Sequence, residues 1–123
     1  ILEIKAMHYQ MALHHTRRER KEYFKLNQEI HRKMMEIASN AILAGVYDSL
    51  AGRIRRVRYL ANANRTRWDK AMAEHTEILA ALEARDGAQL AELLKMHLIS
   101  TLAAVKAIIE VGELENNQAP TNT

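Results

Sequence analysis

Three histidines and one asparagine carry the chemistry this sequence can offer. His75 lies eleven residues before Asp86 and His97 lies eleven residues after it. Asp86-Gly87 reads as a tight turn. In an antiparallel helix hairpin, equal distances from the turn give equal heights at ~1.5 Å of rise per residue, so the two imidazoles can sit level. His75 falls between Met72 and Leu79, and His97 shares a stripe with Leu90, Leu93, Leu94 and Thr101. Asn27 and His31 are four apart, hence one turn apart on one face of an earlier helix, beside Ile30 and Met34. Three helices would then each aim a ligand inward, and His31, His75 and His97 are expected to meet at one buried site. Neutral imidazole is the commonest zinc ligand and also suits nickel, copper and iron; three of them with an open position make a familiar metal arrangement. The plain alternative is that each histidine is a core residue satisfied by a neighbour. His8, His14 and His15 lack comparable surroundings and are expected at the surface.

Arg53 is a candidate of a different kind. It is spaced with Val46, Leu50, Val57 and Leu60 along one edge of an apolar stripe, whereas Arg55, Arg56 and Arg58 lie elsewhere around the helix. A guanidinium directed inward needs an anion, because an unpaired buried charge is costly. A carboxylate ligand could supply it through a bidentate contact. A salt bridge to a glutamate at the edge of the core, or snorkelling to solvent, would satisfy it equally.

These side chains need helices to position them, and the pattern supplies them. Ile1–Met7 reads as a short helical piece and His8–Lys21 as a weakly periodic helix. From Glu22 to Ser39, Tyr23, Leu26, Ile30, Met34 and Ile37 recur at spacings of three and four, one face of a helix. Ala41–Asn62 carries a stripe of Leu43, Tyr47, Leu50, Ile54, Val57 and Ala61. Trp68–Arg85 follows, with Met72, Ile78, Leu79 and Leu82 inward, and then Ala88–Glu110, with Asp86 as its cap and Gln89 completing a capping-box pattern. The expected architecture is all-α: an antiparallel bundle of about five to six helices over residues 1–112, with a polar, disordered tail over 113–123.

Composition agrees. Nearly half of the 123 residues are apolar, enough for one domain with a core, and the only proline is Pro120. The absence of cysteine excludes disulfides and thiolate chemistry and fits a reducing cytoplasm. No stretch has the length and apolarity of a membrane span. The chain opens without an initiator Met, as a piece of a longer protein would. The net charge of +3 gathers in Arg17-Arg18-Glu19-Arg20-Lys21 and in the arginines from Arg53 to Arg67. Such runs bind nucleic acid or form a solvated helix face.

The ordered set of motifs resembles a known family. Asn27-Gln28-Glu29-Ile30-His31 is similar to its Asp-x-x-Phe-His motif, and Ala38-Ser39-Asn40-Ala41-Ile42-Leu43 to the Ala-Gly-Asn-Pro-x-Leu that follows. Leu50, Arg53, Arg55, Arg56 and Arg58 match an Arg-rich helix. Glu74-His75-x-x-Ile78-Leu79-x-Ala81-Leu82 resembles Glu-His-x-x-Ile-x-x-Ala-Ile, and Ala84 to Leu98 resembles the closing segment that ends in His-Leu. The family is the FCD domain, the FadR-type effector-binding domain of GntR-superfamily transcription regulators.

The resemblance implies a helical bundle that holds a divalent metal through an Asp and three His: here Asn27, His31, His75 and His97. Zinc is the first expectation, with nickel or another transition metal as alternatives. It also implies a small carboxylate effector, a homodimer, no enzymatic activity, and operator DNA contacted by a separate N-terminal winged-helix domain. Two departures stand out. Asn27 occupies the position of the family's Asp, giving a neutral, weaker ligand and a more positive site that favours an anion. The stretch before the first motif is short, so a segment is expected to be missing near Met7-His8. Against this stand a metal-dependent hydrolase-like enzyme, since an open metal can activate water, and a purely structural bundle. Glu29, Glu74 and Glu77 are expected mainly outward, which leaves no placed general base. Direct DNA binding by this domain is not expected, because no recognition-helix signal is present.

Overall fold

The computed structural model describes residues 1–118, with side chains through Glu113. Five helices follow in order: α1 (Leu2–Thr16), α2 (Arg20–Ile37), α3 (Ala41–Ala61), α4 (Arg65–Glu83) and α5 (Gly87–Gln118), with no strand among the described residues. α1 and α2 form one antiparallel hairpin and α4 and α5 another; α1 packs on α4, while α3 lies against α5 and α2. No described helix is long and apolar enough to cross a membrane.

Helix starts follow their caps. Asn40 accepts a hydrogen bond from the Leu43 amide at 3.0 Å, Asn64 from the Arg67 amide at 3.0 Å, and Asp86 from the Gln89 amide at 3.0 Å, each satisfying an otherwise orphaned donor. The Asn64 cap explains why α4 begins at Arg65 and not at Trp68.

The first helix differs from expectation. α1 runs unbroken through Met7-His8 and stops at Arg17, inside the segment read as helix through Lys21. Arg18 adopts a left-handed conformation, φ 59°, and the Glu19 amide donates to the His14 carbonyl at 2.9 Å. No glycine or proline announces this turn. Arg18 is held there by an ion pair to Asp69 at 2.8 Å and by lying over the Trp68 ring at 5.4 Å. At the other end α5 continues past Gly112 to Gln118, through the start of the tail expected over 113–123; residues 119–123 lie outside the described part.

The core is built by α1, α2 and α4. Ile4, Met11, Tyr23, Ile30, Trp68, Met72 and Leu79 are buried in one cluster. Tyr23 and Trp68 meet edge to face at 5.2 Å, a geometry that contributes about 1 kcal/mol beyond area burial. Met11 is fully buried, and truncating such a side chain to Ala costs about 2–5 kcal/mol. The α3 stripe behaves differently. Only Ala61 of it is buried, and Leu43 and Leu50 are exposed. α3 sits at the margin of the core and leaves apolar surface uncovered.

Candidate metal centre

His31 on α2, His75 on α4 and His97 on α5 converge. Their ring centroids lie 5.0 Å (His31–His75), 5.5 Å (His31–His97) and 4.8 Å (His75–His97) apart. One nitrogen from each ring lies within 4.8 Å of the other two, and all three residues are buried. The hairpin arithmetic thus describes the fold: α4 and α5 hold His75 and His97 at matching heights on either side of Asp86. α2 brings the third ring because His31 lies one residue after the core residue Ile30.

The nitrogens are poised for a ligand that is not a protein group. Nε2 of His31 and Nε2 of His75 are buried without a hydrogen-bond partner. Oδ1 of Asn27, one turn before His31, is likewise buried and unpartnered. Burial, reinforced by the Arg58 charge and by the other imidazoles, keeps His31 and His75 neutral, well below the usual imidazole range. For His75 the nearest contributor after burial is His97. Neutral imidazoles with free lone pairs and an amide oxygen form a donor set that fits a borderline transition metal.

His97 is oriented from behind. Its Nδ1–H donates to Glu74 Oε2 at 2.8 Å, since an ionised carboxylate can only accept. That leaves Nε2 available to the site. Glu74 in turn accepts a bidentate pair of bonds from Arg67, at 2.9 and 2.8 Å. Arg67 also donates to Thr101 Oγ1 at 3.2 Å, and Thr101 donates to the His97 carbonyl at 2.9 Å. Burial pushes the Glu74 carboxyl up, but the hydrogen bonds from His97 and Arg67 and the Arg67 charge outweigh it and hold it at about 2. A carboxylate behind a ligating imidazole fixes its tautomer and raises its basicity.

Several residues sit where the sequence did not place them. Glu74, expected outward, is half-buried because α5 covers it; Arg67, seven residues earlier and therefore two turns away on the same face, was the available signal. His8, expected at the surface, is buried against Thr76, and burial lowers its basicity. His14 and His15 are partly buried: His14 pairs with Glu19, and His15 bonds Asp69 at 2.7 Å and packs on Trp68. Arg53 is exposed and lines a cleft of about 250 Å³ between α3 and α5. The buried arginine of α3 is Arg58, which is in phase with Ile54 and Ala61. Its Nη1 donates to Gln28 Oε1 at 3.1 Å and to the Tyr47 hydroxyl at 3.0 Å. Glu29 lies partly buried on α2 and Glu77 is exposed on α4.

Comparison with protein families gives a match to the FCD domain over residues 1–100. The chain belongs to the FCD family. It is therefore the C-terminal effector-binding type of domain found in GntR/FadR-type regulators, a regulatory and non-enzymatic family. No curated protein and no solved structure matches the chain. The matched region contains the whole three-histidine group and the Arg67–Glu74 pair that braces it.

Proposed function

We propose that this FCD domain senses a small organic acid at a divalent metal held by His31, His75 and His97, with Asn27 as a fourth ligand. The observation that carries the reading is the trio of buried imidazoles with ligand nitrogens within 4.8 Å and two of them unpartnered. The metal would supply a Lewis-acidic centre for a carboxylate oxygen. Because Asn27 is neutral, the protein ligands leave the full charge of a divalent ion uncompensated, which favours an anion at the open position. Zinc suits the donor set first, and nickel also suits it. Glu74 and Arg67 serve as positioning residues for His97.

The bound state would be passed to a winged-helix domain that contacts operator DNA in the cytoplasm. The uncovered apolar side chains of α3 and α5, among them Ile42, Leu98 and Leu102, support homodimer formation. Arg53 is a candidate contact for the acid, since it lines the cleft between the same two helices.

Metal analysis tests the reading. The chain purified without chelator should retain about one equivalent of zinc or nickel, and His75→Ala should lose it. A chain that takes up no divalent metal at micromolar concentration, while folded by circular dichroism, overturns it.

A further inference from the structure

A groove of about 640 Å³ runs along the seam between α2 and α3. It shares no lining residue with the cleft between α3 and α5, and none of the three histidines lines it. Helix phase builds both walls. Lys21, Lys25, Gln28 and Arg32 recur at spacings of four, three and four on α2, and Tyr47 and Arg55 stand two turns apart on α3. The α2 wall spans about 16 Å at ~1.5 Å of rise per residue.

Four cations line this groove without a protein anion to answer them. Lys21, Lys25, Arg32 and Arg55 are exposed, and among the described residues none of them is ion-paired. Around a concavity the fields of like charges add, and they draw an anion in. Three of the four gather at Phe24. Lys21 lies one turn before it, Lys25 lies next to it, and the Arg55 guanidinium is 6.0 Å from its ring centroid.

Other lining residues supply uncharged donors and an acceptor. The Tyr47 hydroxyl accepts from Arg58, which leaves its own proton without an acceptor among the described residues. Gln28 also accepts from Arg58, through Oε1, and its Nε2 has no acceptor. Glu29 lines the same groove and, when ionised, can only accept.

These features describe a ligand with several negative charges at one end and a planar ring that both accepts and donates hydrogen bonds at the other. We propose that the α2–α3 groove binds a nucleotide, its phosphates at Lys21, Lys25 and Arg55 and its base toward Tyr47, Gln28 and Glu29. The groove has the volume of a small-molecule site. A continuous nucleic-acid strand suits it less, because Glu22 and Glu29 interrupt the cations along α2 and would repel a phosphate track. The site goes beyond the metal reading and does not depend on it.

The test uses the whole 123-residue chain, both as purified and after chelation and desalting. ADP, adenosine, pyrophosphate and a twelve-residue oligothymidylate are titrated by calorimetry at constant pH and ionic strength. ADP should bind at least about tenfold more tightly than adenosine or pyrophosphate, with or without metal. Lys25→Gln and Arg55→Gln, both at exposed positions, should each weaken ADP about three- to tenfold and leave the melting temperature of the free chain unchanged. Glu29→Gln should lower the preference for ADP over pyrophosphate about threefold. Pyrophosphate as tight as ADP, or ADP affinity untouched by both K25Q and R55Q, overturns the proposal. Oligothymidylate binding more tightly than ADP also overturns it, and would make the groove a nucleic-acid surface. ADP binding lost on chelation overturns it too, and would place the phosphates on the metal. Metal content is read separately, so failure of one proposal does not decide the other.

Discussion

The α4–α5 hairpin and the α2–α3 seam meet at the three imidazoles, and their polar groups are satisfied to different degrees. On the hairpin side His97, Glu74, Arg67 and Thr101 form a hydrogen-bonded circuit in which the guanidinium and carboxylate charges answer each other, while Arg67 Nε and His75 Nε2 stay buried without partners. On the seam side Asn27 Oδ1, His31 Nε2 and Gln28 Nε2 are buried without partners, and Arg58 has only neutral acceptors. A buried polar group left unsatisfied works against stability, whereas a satisfied one is close to neutral. The circuit around His97 is therefore built to be rigid before a ligand arrives. The seam side, together with His75, holds the groups that a ligand would satisfy.

The contrast predicts unequal responses to mutation. The largest belongs to the paired arginine. Removing Glu74 as Glu74→Ala strands Arg67, a loss of about 3 kcal/mol of unfolding free energy in urea titrations. Metal affinity should fall about 10- to 100-fold with it, as His97 loses its brace. Stability within about 0.5 kcal/mol of the parent would mean that the circuit is not structural.

The next effect is read against pH in the metal-free chain. Burial keeps His31, His75 and His8 below the ordinary imidazole value of 6.5. The unfolded chain then binds protons that the folded one refuses, so stability should fall as pH drops below about 6.5. Glu74 has the same sign over a lower window. Its folded value of about 2 lies below the ordinary 4.5, so its contribution is complete above 4.5 and is lost as pH falls toward 2. Urea midpoints after chelation should decline from about pH 6.5 downward. A flat profile from about pH 7.5 to about 5.5 would show that the imidazoles titrate as if exposed.

A third substitution sharpens the seam. Asn27→Asp supplies the carboxylate that the amide replaces. Two unit charges 4 Å apart at an effective dielectric of 20 interact by about 4 kcal/mol, and the carboxylate's desolvation opposes that, leaving a gain of roughly tenfold in metal affinity. Competition against a chromophoric chelator measures it. Unchanged affinity would mean that position 27 does not ligate. The smallest effect is expected at Arg58: exchange for Met should change stability by less than about 1 kcal/mol, or raise it. A loss comparable to that of Glu74→Ala would erase the difference between the two arginines.

What the sequence revealed follows the same division. The level placement of His75 and His97 was legible because a hairpin about Asp86 is a local device with a visible cap. The α1–α2 turn was hidden because its left-handed residue is Arg18, inside a charge run that reads as helix. The α3 stripe is only partly covered: Leu43 and Leu50 are exposed, Tyr47, Ile54 and Val57 are half-buried, and Ala61 alone is buried. Arg58 shares its face with Ile54 and Ala61, a spacing that was there to be read. Glu74 was misjudged because helix phase describes one helix at a time, and the burial of this side chain comes from its neighbour. His97 and Thr101, four apart, were both visible on one stripe, yet nothing local tied them to Arg67.

The three imidazoles also bear on how the chain collapses. His75 and His97 belong to one hairpin, but His31 belongs to the other, with all of α3 between. An ion bound by all three would close a long loop, as a cross-link does, and would withdraw conformational freedom from the unfolded ensemble. Its binding free energy would then be partly folding free energy. Such an ion would tie together two hairpins that are each largely local in their contacts, so loading the site would make their unfolding a single event.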